Sequence, residues 1–160
     1  MLKEGTPAPE FETVLDDGEV FNLASLRGRK NVVLYFYPRD FTPGCTREAC
    51  TFQENYGEIE KYDAVIVGVS ADSLDSHRQF RERHQLAFPL VADPDKKLIR
   101  AYEAEGILGL TTARITYVID KAGIIRAVIR HDFAIGRHLP DVLQALQRIE
   151  RASVSPTAAN

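Results

Sequence analysis

Residues 32–50 read VVLYFYPRDFTPGCTREAC, and this stretch sets the architecture of the chain. Its first six residues, Val32 to Tyr37, are apolar without alternation, which is typical of a strand buried on both faces of a sheet. Pro38 ends that strand because proline lacks the N–H that a sheet ladder needs. Pro43 then opens a helix, since proline fits the first helical turn. The stretch therefore predicts a central strand that leads through a short loop into a helix whose first turn holds Cys45.

Similar apolar runs alternate with helical patterns along the rest of the chain. Strands are predicted at 65–70, 88–92, 115–119 and 124–129, a hairpin around Asp16-Asp17-Gly18, and helices over 43–62, 73–84, 94–102 and 140–149. Strands that alternate with helices imply parallel strand pairs with helices on both faces, and a closing hairpin at 120–123 makes the sheet mixed. This order predicts an α/β protein with a thioredoxin-like fold, in which helices flank a mixed central β-sheet and an N-terminal β-hairpin is added.

Composition places the chain among ordinary globular proteins. Its 160 residues suffice for one domain, predicted at 1–151, and the small polar residues at 152–160 predict a flexible C-terminal tail. No apolar run approaches the roughly 20 residues of a membrane helix, and no secretory signal is visible, so we expect a cytoplasmic protein. The net charge of −3 argues against nucleic acid as a partner, because phosphate binding needs a basic field.

The chain contains two cysteines, Cys45 and Cys50. A bridge across so short a loop removes little unfolded-state entropy, which argues against a structural staple. In cytosolic proteins, disulfides are usually catalytic or redox-sensing. On an intact helix the two Cα atoms would be about 8–9 Å apart. Because a disulfide needs Cα atoms within about 7 Å, the two sulfurs can bond only if the start of the helix unwinds.

Cys45 is the stronger candidate for chemistry. In the first turn of a helix, unpaired N–H groups and the positive end of the helix dipole favour the thiolate, which is the reactive form of cysteine. Thr42, three residues earlier, can place its hydroxyl beside the sulfur, where it can donate a hydrogen bond to a nucleophile or to a bound oxygen.

Other interpretations of the cysteines stay open. Both can be small buried residues, since free cysteine is commonly buried. A structural zinc site fits poorly, because two ligands with no second Cys or His pair do not supply four. A Cys–His hydrolase needs a positioned histidine, and the sequence leaves open whether a histidine from a later element folds back. The candidates are His77, His84, His131 and His138.

The motif Pro38-x-x-x-Thr42-x-x-Cys45 resembles the active-site signature of peroxiredoxins, and the longer string around it resembles the bacterioferritin-comigratory, or PrxQ, branch. The resemblance extends over residues 3–150 and implies a thiol peroxidase for hydrogen peroxide and organic hydroperoxides. It assigns a role to each matching residue: Cys45 is the peroxidatic cysteine, Cys50 the resolving cysteine, Thr42 the peroxide-binding hydroxyl, Pro38 a shield over the site and Arg114 the active-site arginine.

The resemblance also implies a reaction cycle and its partners. Cys45 and Cys50 would form an intramolecular disulfide, which thioredoxin or a similar dithiol reductant would reduce. The enzyme would act as a monomer and would need no metal, haem or flavin. Two alternatives use the same fold. One is a dithiol–disulfide oxidoreductase, which usually carries Cys-x-x-Cys, and the other is a peroxide-sensing redox switch.

Two departures from the family pattern concern apolar residues. Phe41 stands where many relatives carry a polar residue, which bears on substrate access. The segment 105–112 is unusually apolar. It is interpreted as core packing, with a pocket wall or a contact surface as the alternative.

Overall fold

A computed structural model describes residues 1–131 and 135–154. Its strands are β1 Glu12–Val14, β2 Val20–Asn22, β3 Asn31–Phe36, β4 Ala64–Ser70, β5 Leu90–Ala92, β6 Ile115–Ile119 and β7 Ile125–Arg130. Its α-helices are α1 Pro43–Glu54, α2 Tyr56–Glu60, α3 Leu74–His84, α4 Lys97–Ala101 and α5 His138–Val154.

Strand β3 is the centre of a five-stranded mixed sheet. The strand order is β5-β4-β3-β6-β7, with β3, β4 and β5 parallel and with β6 antiparallel to both β3 and β7. All six residues of β3 are buried, and five of them belong to the apolar run predicted at 32–37, so the strand lies one residue earlier than predicted. The N-terminal hairpin forms a separate two-stranded sheet from β1 and β2. The α/β class, the mixed sheet and the added hairpin are therefore confirmed.

Two apolar cores lie on opposite faces of this sheet. Side chains alternate along a strand, so Tyr35 joins the core that holds Phe52 of α1, whereas Phe36 joins the other core. The first core also takes in the inner face of α5, and the second includes Tyr102, which follows α4. Helix α1 is thus fixed against one face of the central strand that leads into it.

The first predicted helix, over 43–62, is broken into two. Helix α1 ends at Glu54, and Asn55 separates it from α2. The Asn55 amide donates to the Thr51 carbonyl at 2.9 Å, and such side-chain bonding to the local backbone competes with helix continuation.

The later helices differ from their predicted bounds. Helix α4 begins at Lys97 rather than at Pro94, because Lys96 adopts a left-handed conformation with φ 60° and interrupts the chain there. Helix α5 begins at His138, ahead of Pro140, and continues to Val154. The segment 152–154, predicted as part of a flexible tail, is therefore helical, while 155–160 lies outside the described residues.

The apolar segment before β6 does not pack into the core. Its three large side chains are mostly exposed: Ile107 at 79%, Leu108 at 88% and Leu110 at 76%. The interpretation of this segment as core packing is wrong, because the loop closes on its own backbone through a 2.7 Å bond from Gly106 N to Thr111 O. Within the described part of the chain, no helix is long and apolar enough to cross a membrane.

Candidate active site

Cys45 lies in the first turn of α1, beside the end of the central strand. Its side chain is only 2% exposed. Arg114 immediately precedes β6, and the antiparallel register that pairs Phe36 with Ile115 brings Arg114 to the same end of the sheet. From there, Arg114 Nη2 donates to Cys45 Sγ at 3.4 Å. The structure therefore joins two residues that the sequence resemblance assigned to one site.

Gly44 makes room for this approach. A Cβ atom at Gly44 would lie 3.3 Å from Arg114 Nη2 and 2.8 Å from Ile135 Cδ1. A side chain there would displace the guanidinium or the isoleucine. The small residue before Cys45 therefore allows an arginine to reach the first turn of the helix.

A buried carboxyl group completes the arginine's environment. Arg114 Nη1 donates to Glu48 Oε1 at 2.9 Å, and both side chains are buried. Burial raises the pKa of Glu48 to about 7, although Arg114 opposes that shift. Burial alone would lower the pKa of Arg114, but Glu48 and Cys45 together raise it. The guanidinium therefore stays charged between the carboxyl group and the sulfur.

His138 packs on the other side of this carboxyl group. Its Nδ1 lies 3.5 Å from Glu48 Oε2 and 3.1 Å from the Thr116 hydroxyl. Burial lowers the pKa of His138 to about 4, so the imidazole is neutral at pH 7. Glu48 was not identified as a site residue from the sequence, and His138 was considered there only as a histidine that could fold back on a cysteine. Glu48 carried one signal, because a residue three positions after Cys45 shares its helix face.

The Thr42 hydroxyl has a different partner from the one expected. Thr42 is the N-cap residue of α1, but its side chain makes no capping bond. Its Oγ1 donates to the Arg39 carbonyl at 2.9 Å. A hydroxyl has a single hydrogen to donate, so in this arrangement Thr42 can only accept further bonds. Pro38, the expected shield, is exposed in the same loop.

A buried polar network anchors the loop between β3 and α1. Asp40 accepts from the Tyr37 hydroxyl at 2.6 Å and from His77 Nδ1 at 2.7 Å. The other ring nitrogen, His77 Nε2, lies 3.0 Å from the Val91 carbonyl. Asp72 joins the network by accepting from Asp40 N at 2.9 Å. Asp40, Asp72 and His77 lie close enough to hold a metal ion, but both carboxylate oxygens of Asp40 and both ring nitrogens of His77 already have hydrogen-bond partners.

Phe41 lies on the outside of this loop. It has a positive φ of 64° and is half exposed. Its ring packs edge-on against Phe80 of α3, with centroids 5.2 Å apart. The residue that departs from the family pattern therefore forms part of the apolar surface between the loop and α3.

Cys50 lies farther along α1 and is half-buried. Its Sγ is 3.8 Å from His84 Nδ1. Burial raises the pKa of the Cys50 thiol, and the nearby Glu54 carboxylate raises it further. Both cysteines are free thiols on one intact helix. Among residues 1–131 and 135–154 it is thus Cys50, and not Cys45, that has a histidine at its sulfur.

Comparison with known proteins gives a consistent result. Residues 5–128 match the model of the AhpC/TSA family. The chain is 38% identical over 154 residues to peroxiredoxin Bcp of Bacillus subtilis, with 91% of this chain and 96% of that protein covered. It is similar to the crystal structure of peroxidoxin BcpB from Mycobacterium tuberculosis, with a TM-score of 0.85, 32% identity and coverage of 93% and 99%. It is also similar to the bacterioferritin comigratory protein of Xanthomonas campestris, whose structures concern alkyl peroxide reduction, with a TM-score of 0.78, 33% identity and coverage of 86% and 90%.

Proposed function

The chain belongs to the AhpC/TSA family and to its peroxiredoxins, which are thiol peroxidases, and we propose that it reduces hydrogen peroxide and organic hydroperoxides at Cys45. The observation that carries the proposal is the 3.4 Å contact from Arg114 Nη2 to the buried Cys45 Sγ. The thiolate is the nucleophilic form of cysteine, and Arg114 places a positive charge directly beside the sulfur. The same cation is positioned to bind the anionic charge that develops as a peroxide bond breaks.

The first step oxidises the sulfur of Cys45. The thiolate attacks one peroxide oxygen, the O–O bond breaks, and the leaving oxygen takes a proton to become water or an alcohol. Cys45 becomes a sulfenic acid, so the sulfur loses two electrons to the peroxide. Arg114 and the unpaired N–H groups at the start of α1 stabilise the departing oxygen. The family resemblance assigns Thr42 to hold the peroxide. For this, the Thr42 hydroxyl either gives up its bond to the Arg39 carbonyl and donates to the peroxide, or keeps that bond and accepts a hydrogen bond from the peroxide. Pro38 is assigned to shield the sulfur.

The second step uses Cys50. The first turns of α1 unwind, because an intact helix keeps the two Cα atoms about 8–9 Å apart. The Cys50 thiol then condenses with the sulfenic acid, which releases water and forms a Cys45–Cys50 disulfide. A dithiol reductant such as thioredoxin returns both residues to thiols by exchange.

A coupled assay with excess peroxide, thioredoxin and thioredoxin reductase tests the proposal. The wild-type chain is expected to turn over many times, and Cys45→Ser is expected to abolish turnover. Full activity in Cys45→Ser would overturn the proposal. The same assay separates a catalyst from a redox sensor, which would stop after one oxidation, and disulfide exchange without peroxide would identify a dithiol oxidoreductase.

We propose further that the chain acts as a monomer in the cytoplasm. The cytoplasm is a reducing compartment in which thioredoxin keeps thiols reduced, so the proposed thioredoxin-type reductant supports a cytoplasmic location. Sedimentation at micromolar concentration tests the monomer in the reduced and oxidised states, and localisation of a tagged chain tests the compartment.

A further inference from the structure

Resting on the proposed function, we propose that His84 is the base that takes the proton from Cys50 when the disulfide forms. His84 Nδ1 lies 3.8 Å from Cys50 Sγ, which is within reach of a hydrogen bond to sulfur. Because the residue contacts a reacting atom of the second step, the inference assigns it a direct chemical role there.

Cys50 needs such a base. It must be a thiolate to attack the sulfenic acid, since the thiol is a poor nucleophile. Its surroundings oppose ionisation: burial raises the pKa of the Cys50 thiol, and the Glu54 carboxylate on the same helix adds to that shift. Cys50 is therefore placed differently from Cys45, which has the cationic Arg114 at its sulfur.

The position of His84 is fixed by packing. It is the last residue of α3, and Gln85 ends the helix in a left-handed conformation. The imidazole lies edge-on to the Phe80 ring, with centroids 5.1 Å apart, and Phe80 is fully buried. These contacts hold the ring with Nδ1 towards α1. Acceptance of the thiol proton at Nδ1 requires the ring hydrogen to be on Nε2.

The pair can persist while the Cys45 turn unwinds. Beyond Cys50, helix α1 is held by Phe52, which is buried against Tyr35 with ring centroids 4.9 Å apart. Gln53 Oε1 also accepts a 2.6 Å bond from Ala87 N, in the segment just after α3. The end of α1 near Cys50 is therefore attached both to the sheet and to the region of His84. Cys45 lies in the first turn, which has to unwind before the two sulfurs can meet, so we infer that Cys45 moves to Cys50.

The chemistry of the step is balanced. His84 Nδ1 accepts the proton of the Cys50 thiol, and the thiolate attacks the sulfenic sulfur of Cys45. The S–S bond forms as the S–O bond breaks, and the leaving hydroxide takes the proton back from the imidazolium to become water. The two electrons of the new bond come from Cys50, and His84 is unchanged at the end.

Single-turnover kinetics test this role. One equivalent of hydrogen peroxide is added to the reduced chain, and quenched samples are analysed by mass spectrometry for sulfenic acid and disulfide. In His84→Gln the conversion of sulfenic acid to disulfide at pH 7 is expected to be about 100-fold slower, the lower range for loss of a general base. Its rate is expected to rise about tenfold per pH unit, because hydroxide must then ionise Cys50. Arg83→Gln, which changes the preceding exposed residue, is the matched control and should resolve at the wild-type rate.

The outcome is decisive in each case. Equal resolution rates and equal pH profiles in wild type and His84→Gln would overturn the role of His84. If the variant does not fold, the wild-type profile alone is a test. A plateau through neutral pH supports an internal base, and a tenfold rise per unit across that range overturns it. If wild-type Cys45 is not oxidised by peroxide at all, the failure lies in the proposed function instead.

Discussion

Arg114 Nη2 lies 3.4 Å from Cys45 Sγ, although 69 positions separate the two residues along the chain. The contact depends on the sheet: β3 ends just before the loop that leads to α1, and β6 starts beside that end because the two strands are antiparallel. The reactive sulfur and its cation thus lie just beyond the same end of two neighbouring strands, on the helix that follows β3 and on the residue that precedes β6.

Removal of the arginine is expected to affect rate and stability together. Arg114→Ala should slow the reaction of Cys45 with peroxide about 100-fold or more, as for the loss of one charge-stabilising donor. It should also destabilise the fold by about 1–3 kcal/mol, because the buried Glu48 carboxyl group would lose its hydrogen-bond donor. Stopped-flow oxidation and denaturant unfolding measure the two effects.

The double variant Arg114→Ala/Glu48→Gln separates these effects. A neutral amide is less costly to bury than a carboxylate, so much of the stability should return while the peroxide rate stays low. Recovery of the rate in the double variant would show that Arg114 acts only through the fold.

Replacement of Cys50 is expected to stop the cycle after one oxidation. Cys50→Ser should consume about one peroxide per chain, because no other cysteine is present to resolve the sulfenic acid. Excess peroxide should then convert Cys45 to the sulfinic acid, which mass spectrometry detects. Continued turnover with thioredoxin would show that the Cys45–Cys50 disulfide is not required.

Glu48 gives the folded chain a specific dependence on pH. Its folded pKa is raised from 4.5 to about 7, so the stability that this group contributes is complete below about pH 4.5 and is lost as the pH rises through 7. Relative to Glu48→Gln, the wild-type free energy of unfolding should therefore fall by about 3 kcal/mol over this window. Urea unfolding at a series of pH values measures the difference, and a constant difference would contradict the assignment.

His138 should show the opposite trend. Its folded pKa is lowered from 6.5 to about 4, so its contribution is present above pH 6.5 and is lost as the pH falls towards 4. Relative to His138→Gln, the wild-type chain should lose about 3 kcal/mol between these limits. If the contributions of Glu48 and His138 to the free energy of unfolding change in the same direction with pH, one of the two groups is not neutral in the folded chain.

The exposed loop before β6 offers a stabilising substitution. Leu108 has φ 54°, a backbone conformation that is strained for a residue with a Cβ atom, and its side chain is 88% exposed. No packing of the side chain therefore offsets the strain. Leu108→Gly should raise the free energy of unfolding by about 0.5–1 kcal/mol, since glycine adopts positive φ without steric strain. Leu110→Gly is the control, because Leu110 has φ −85° and glycine brings no relief there.

The sequence predicted those parts of the fold that depend on local pattern. The unbroken apolar run at 32–37 identified the central strand, and Pro43 marked the start of the helix that carries Cys45. Local conformations without an apolar signal were missed, as at Asn55, where a side-chain amide bonds to the backbone, and at Lys96, where the chain turns left-handed.

The candidate site was predictable only in part, for a related reason. Cys45 and its helix turn follow from local pattern, and Arg114 was found through resemblance to a family. Its contact with Glu48, and that of Glu48 with His138, form only when β6 and α5 pack beside α1. No spacing in the sequence encodes such contacts between distant elements.

The Asp40 network sets how far the reactive sulfur can travel. Hydrogen bonds from Tyr37 and His77, at 2.6 and 2.7 Å, hold Asp40 in place. When the first turn of α1 unwinds, the segment that carries Cys45 therefore moves about Asp40 as its fixed point. A tether of five residues, from Asp40 to Cys45, reaches about 17 Å when stretched, well beyond the separation that the helix imposes on the two cysteines. The segment from Asp40 to Cys45 is therefore long enough for the Cys45 sulfur to reach Cys50 while the sheet and the rest of the molecule keep their positions.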